Sequence, residues 1–71
     1  MHKPSEETVA VVNELIPQAK QWGAYCMGLV CAVSWNNGAE PPRTVLEAAA
    51  ECESLEQAQS IVKIVSVARG L

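Results

Sequence analysis

No charged residue interrupts the stretch WGAYCMGLVCAVSW, which runs from Trp22 to Trp35. A helix that is apolar on every side lies either in a protein core or in a membrane. Fourteen residues at a rise of 1.5 Å span about 21 Å, which is short of the ~30 Å hydrocarbon layer, and Lys20 limits extension toward the N-terminus. The stretch therefore predicts a core helix, and we expect no membrane as a partner.

A seam of apolar and small residues at alternating spacings of three and four extends this helix toward the N-terminus. Its members are Val9, Val12, Ile16, Ala19, Gly23, Cys26, Val30 and Val33. Because the seam keeps its register through Pro17, it predicts one long kinked helix over residues 6–35, capped by Ser5, with residues 1–5 as a loose tail. The alternative is a kinked pair of helices with a break at Ile16, since the residue before a proline avoids helical geometry.

The second half of the chain predicts two shorter helices. Residues 36–42 contain Asn-Asn-Gly and Pro-Pro and predict a corner, which is followed by a helix over 43–52 rich in alanine. Ser54 and Gln57 have the spacing of a capping box and predict a last helix over 54–69. Residues 61–67 are β-branched, but polar residues recur there at helical spacing, so helix is favoured over strand. The sequence predicts one all-α domain over residues 1–71, a small helical bundle.

A chain of 71 residues needs a disulfide, a metal or another chain to stabilise so small a core, unless its helices pack unusually well. Three cysteines, an odd number behind a polar N-terminus without a secretion signal, predict reduced thiols and a cytoplasmic location. Two short helices do not surround an apolar helix, so we expect a homodimer or higher oligomer. The predicted interface follows the seam and consists of Val12, Ile16, Ala19, Gly23, Cys26 and Val30.

Nothing in the sequence predicts catalysis, a metal site or a cofactor. Cys26 and Cys31 lie about 140° apart around a helix, and no CxxC pair is present. The lone histidine, His2, lies in the predicted tail, and the carboxylates lack a partner group for acid–base chemistry. Five basic and eight acidic residues give a net charge of −3 without a basic tract, which disfavours nucleic acid as a partner.

Two surface features predict protein binding instead. Residues 40–56 contain five glutamates and one arginine, a local charge of −4 that can steer a basic partner. All three aromatic residues lie between positions 22 and 35, and such side chains often anchor interfaces, although they also fill cores. The predicted partner-binding residues are Glu47, Glu51, Glu53, Trp22, Tyr25 and Trp35.

These features favour a small, acidic, non-enzymatic interaction protein that binds and inhibits or adapts a larger macromolecule. In size and composition it is analogous to small proteins encoded by bacteriophages and other mobile elements, such as inhibitors of host defence. The alternative is a helical oligomer that sequesters a small anionic ligand, such as a nucleotide, between subunits. That ligand would be bound by Lys20 and Arg43, with the aromatic residues stacking on it.

Overall fold

The computed structural model describes residues 5–68, and their regular secondary structure is entirely helical. Helix α1 spans Glu6–Leu15 and is followed by a single 3-10 turn at Ile16–Gln18. Helices α2 (Gly23–Asn36), α3 (Arg43–Ala50) and α4 (Leu55–Ala68) complete a small bundle. The predicted all-α fold is confirmed. The predicted loose tail over residues 1–5 lies outside the described residues except for Ser5, the N-cap of α1, and the predicted end of the last helix at residue 69 also lies outside them.

Local sequence signals fix most of the helix ends. The Ser5 hydroxyl accepts a hydrogen bond from the Thr8 backbone N–H at 3.0 Å and caps α1. At α4, the Ser54 hydroxyl accepts from the Gln57 N–H at 3.2 Å, as its capping box predicts. Between α2 and α3 the chain turns at Gly38, whose φ of 71° suits a residue without a side chain. The connection between α2 and α3 covers residues 37–42, so it lies within the predicted corner, whose first residue, Asn36, belongs to α2.

The single long helix predicted through Pro17 is corrected to two helices, α1 and α2. Pro17 lies in the first turn of the 3-10 segment, and Ala19 then adopts an extended backbone. The following residues pair with the end of α3 instead of continuing the helix: the Lys20 N–H donates to the Ala50 carbonyl at 2.8 Å, and the Trp22 N–H donates to the Cys52 carbonyl at 3.0 Å. Proline carries no N–H for a helical hydrogen bond, so the break costs little there.

Helix α2 is the central element of the bundle. It packs against α3 and α4, while α1 packs mainly against α3. One side of α2 is buried by these neighbours, and the core consists of Leu15, Cys26, Met27, Val30, Cys31, Leu46, Ala49, Ala50, Cys52, Ala58 and Val65. The opposite side, with Ala24, Gly28 and Ala32, is exposed. Among the described residues, no helix has both the length and the apolar character required to cross a bilayer.

Candidate functional site

An apolar groove separates α3 from α4, because both helices pack on α2 and make few contacts with each other. This α3–α4 groove has a volume of about 220 Å³ and is lined by Thr44, Val45, Ala48, Ile61, Ile64 and Val65. Ile64 is 67% exposed at its edge, and Val67, three residues further along α4, is 68% exposed. Two large aliphatic side chains on one helix therefore face water beside an open apolar surface.

A second groove lies between α1 and α2 and has a volume of about 210 Å³. No charged residue lines this α1–α2 groove, whose walls are Val9, Val12, Asn13, Ala24, Met27, Gly28, Cys31 and Trp35. Among the described residues, a Cβ atom added at Gly28 would meet no atom within 4 Å beyond the neighbouring backbone of its own helix. The groove is thus apolar and accessible from outside.

Half of the predicted oligomer interface is corrected by the burial of its residues. Gly23, Cys26 and Val30 are buried inside this chain, against α3 and α4, so they offer no surface to a second copy. At Gly23 an added Cβ would lie 2.3 Å from the Ala50 carbonyl oxygen. Val12 and Ala19 are partly buried and Ile16 is 46% exposed. The seam is therefore mainly a contact between helices of one chain.

The predicted acidic residues Glu47, Glu51 and Glu53 are all exposed on α3 and the turn that follows it. Glu47 accepts from Arg43 Nε at 3.2 Å, and Arg43 also pairs with Glu14 of α1. Hydrogen bonds from the guanidinium to Glu14 and then to Glu47 raise the pKa of Arg43. Neither Glu51 nor Glu53 has an ion pair with another described residue.

The two cations predicted for an anionic ligand lie at opposite ends of α3. Arg43 begins that helix, and the backbone of Lys20 adjoins its last residue, Ala50. The helix is about 10 Å long at 1.5 Å per residue. Since the Arg43 guanidinium is also engaged by two carboxylates, the structure does not bring these cations together as a ligand pair.

The three aromatic residues divide between the two ends of α2. Trp22 and Tyr25 form an edge-to-face pair with ring centroids 5.6 Å apart, and Tyr25 is 50% exposed. Trp35 lies at the other end of α2, where its indole Nε1 donates to Glu40 Oε2. The aromatic residues therefore do not form one continuous surface.

Glu40 is a partly buried carboxylate that links the start of α1 to the end of α2, a role that the sequence analysis missed. Its Oε1 accepts from the Ser5 backbone N–H at 3.1 Å and from the Thr8 hydroxyl at 3.0 Å, while Oε2 accepts from Trp35. Hydrogen bonds from Ser5, with smaller effects of Thr8 and Trp35, hold the pKa of Glu40 below its usual value, although partial burial acts in the opposite direction. This cluster is a structural link between helices.

The three cysteines are free and buried. Burial and the adjacent thiol of Cys52 raise the pKa of Cys26 to about 12. Burial, with the nearby charge of Glu40, also raises the pKa of Cys31. These thiols therefore behave as core side chains, and within residues 5–68 no group of three or more histidine, cysteine or carboxylate side chains could hold a metal ion.

Ile64 and Val67 were not among the predicted binding residues. The sequence offered one weak signal for them: both residues are apolar, yet neither lies on the polar face of α4 or on the apolar face opposite it. No protein-family model matches this chain, and no curated protein or solved structure is significantly similar to it.

Proposed function

We propose that this chain is a non-enzymatic helical interaction protein that binds a larger macromolecular partner and inhibits or adapts it. The observation that carries the proposal is the exposure of Ile64 and Val67 beside the α3–α4 groove. Contiguous apolar surface on a small protein usually marks an interaction site. Burying one such side chain against a partner contributes about 1.5–3 kcal/mol, which is typical of an interface anchor.

The acidic residues support the same proposal. Glu47 lies on α3, the helix that forms one wall of the groove, and Glu51 is the residue that directly follows that helix. Charges at the rim of an apolar site speed association and select partners of opposite charge. We propose that the partner is basic, and that binding takes place in the cytoplasm, where buried free thiols persist without oxidation.

The experiment compares capture of partners from a lysate of the source cells by the wild-type chain and by the double variant Ile64→Ser/Val67→Ser. Ile16→Ser is the matched control, because Ile16 is an exposed isoleucine outside the groove. We expect one stoichiometric protein to be retained by the wild type and the control and lost from the double variant. Equal retention by all three would refute the groove as the binding surface.

We also propose that the chain associates with a second copy through the α1–α2 groove. The specific observation is the open space above Gly28, between the exposed small residues Ala24 and Ala32. Small residues at a spacing of four let two helices approach closely. In most homodimers the same surface of both copies meets across a two-fold axis. Val9 and Val12 line the same groove, keep exposed surface and would add apolar contact.

Sedimentation velocity at micromolar concentration tests this contact. We expect a dimer for the wild type and a monomer for Gly28→Gln, whose side chain would occupy the space of the second helix. A wild-type monomer, or a dimer that tolerates Gly28→Gln, would contradict self-association at this surface. Sequestration of an anionic ligand is not proposed further, because Lys20 and Arg43 lie at opposite ends of α3.

A further inference from the structure

We propose that the α3–α4 groove receives an amphipathic helix whose apolar face enters the groove and whose flank toward α3 carries lysine or arginine. This inference rests on the proposed function and adds the chemistry of the partner. The groove is lined by Val45 and Ala48 from α3 and by Ile61 and Ile64 from α4. Two helices that diverge over an apolar floor are a common receptor for a third helix, which inserts residues at spacings of three and four.

The two walls of the groove differ in charge. Glu47, on α3, lies three residues after Thr44. Glu51, the C-cap of α3, lies three residues after Ala48, so each glutamate is the surface neighbour of a lining residue. Glu51 has no ion pair with another described residue, and Glu47 shares Arg43 with Glu14. The α3 rim therefore presents uncompensated negative charge next to apolar surface.

The α4 rim carries no negative charge. Gln57 and Ser60 lie four residues before Ile61 and Ile64, and both are exposed and uncharged. Glu56 and Lys63, both exposed, lie beyond them on α4, and their opposite charges offset each other. A bound helix with cations on one flank is thus attracted to the α3 side of the groove and not to the α4 side, which favours one orientation.

The size of the groove sets how much of the partner it contacts. The lining residues of each wall span five positions, 44–48 on α3 and 61–65 on α4, which is about 6 Å of helix on each side. This length matches one to two turns of a partner helix. We therefore expect two or three apolar side chains of the partner to supply most of the binding free energy, with Ile64 as their main contact.

The test uses two fluorescein-labelled synthetic peptides and the full chain, with binding measured by fluorescence anisotropy. Both peptides carry leucine at positions i, i+3, i+4 and i+7; one has lysine along a flank and the other has glutamate at the same positions. We expect the lysine peptide to bind at least about ten-fold more tightly, and its affinity to fall as salt is raised.

Three variants locate the site. Ile64→Ser and Ala48→Gln should each weaken binding of the lysine peptide about ten-fold or more, the first by removing apolar contact and the second by filling the groove. Glu47→Gln/Glu51→Gln should weaken binding and flatten its salt dependence. Glu6→Gln/Glu7→Gln is the matched control, since it removes the same charge from exposed positions of α1 and should leave binding unchanged.

The outcomes separate this inference from the function it rests on. Loss of binding in Ile64→Ser with full binding in Glu47→Gln/Glu51→Gln would overturn the basic flank and leave the groove as the binding surface. Unchanged binding in Ile64→Ser and Ala48→Gln would overturn both this inference and the groove as the binding surface. A dimer of the wild-type chain that Ile64→Ser dissociates and Gly28→Gln does not would identify a second copy as the occupant, which also overturns the inference.

Discussion

Replacing Gly23 by alanine should destabilise this protein, although alanine is the better helix former. An added Cβ would lie 2.3 Å from the Ala50 carbonyl oxygen and 2.8 Å from the Ala19 Cβ, whereas ordinary contacts begin near 3.4 Å. Helix α2 or the end of α3 must therefore shift by about 1 Å, and the same carbonyl accepts the Lys20 N–H. Overpacking of this kind costs typically 1–3 kcal/mol, and a weakened hydrogen bond adds about 0.5–1.5 kcal/mol.

Alanine offsets part of this cost, because it is favoured over glycine by up to about 1 kcal/mol within a helix, and less at the first residue of α2. The net loss of unfolding free energy for Gly23→Ala is therefore about 1–3 kcal/mol. The matched control is Gly28→Ala, at an exposed interior position of the same helix with open space around the new methyl group. It should stabilise the protein by about 0.5–1 kcal/mol.

Urea unfolding followed by circular dichroism at the helical band measures both changes, at a concentration where sedimentation shows only the monomer. In thermal unfolding followed by the same signal, the melting temperature should move in opposite directions for the two variants, by roughly 4–8 °C for each kcal/mol in a domain of this size. A Gly23→Ala variant as stable as Gly28→Ala would refute the close contact between α2 and the end of α3.

Three further predictions concern buried or partly buried polar groups. The pKa of Glu40 in the folded protein lies below its usual value of 4.5. The carboxylate therefore stabilises the fold above pH 4.5, and this contribution is lost as the pH falls through the lower, folded pKa. Glu40→Gln should flatten the pH dependence of the urea midpoint in this acid range. The Ser34 hydroxyl is fully buried and has no hydrogen-bond partner among the described residues. Ser34→Ala should therefore raise the unfolding free energy by about 1 kcal/mol. A decrease of similar size in the unfolding free energy would show that the hydroxyl does form a hydrogen bond. The thiol of Cys26 has a pKa of about 12 and no exposed surface, so it should react with a disulfide reagent at pH 8 only after the protein is unfolded in urea. Rapid reaction of this thiol in the folded protein would contradict its burial.

The helices and their caps could be predicted from local sequence, because capping and turn chemistry act over a few residues. Ser5, Ser54 and Gly38 each have the role that their residue type favours. The break at Pro17 could not be decided in the same way. The spacing of apolar residues indicates which residues share a core. Because α1 and α2 both contribute to one core, the spacing continues from one helix to the next although the backbone turns between them.

The candidate site was harder to predict, because exposure depends on which helices diverge. Gly23 and Gly28 look alike in the sequence, yet one contacts a backbone carbonyl of α3 and the other faces open space. Ile61 and Ile64 lie on the same flank of α4, but only Ile64 reaches the rim of the groove with two thirds of its surface exposed. Such differences arise from the packing of α3 and α4 on α2, which no local pattern encodes.

We propose that this chain binds a basic helical partner through the α3–α4 groove. Backbone amide chemical shifts of the labelled chain, recorded as the lysine-flanked peptide is added, test it most directly. We predict shifts concentrated on Val45, Ala48, Ile61, Ile64, Glu47 and Glu51, with α1 unchanged. Shifts centred on Val9, Ala24 and Gly28 of the α1–α2 groove, or spread evenly over the surface, would contradict the claim.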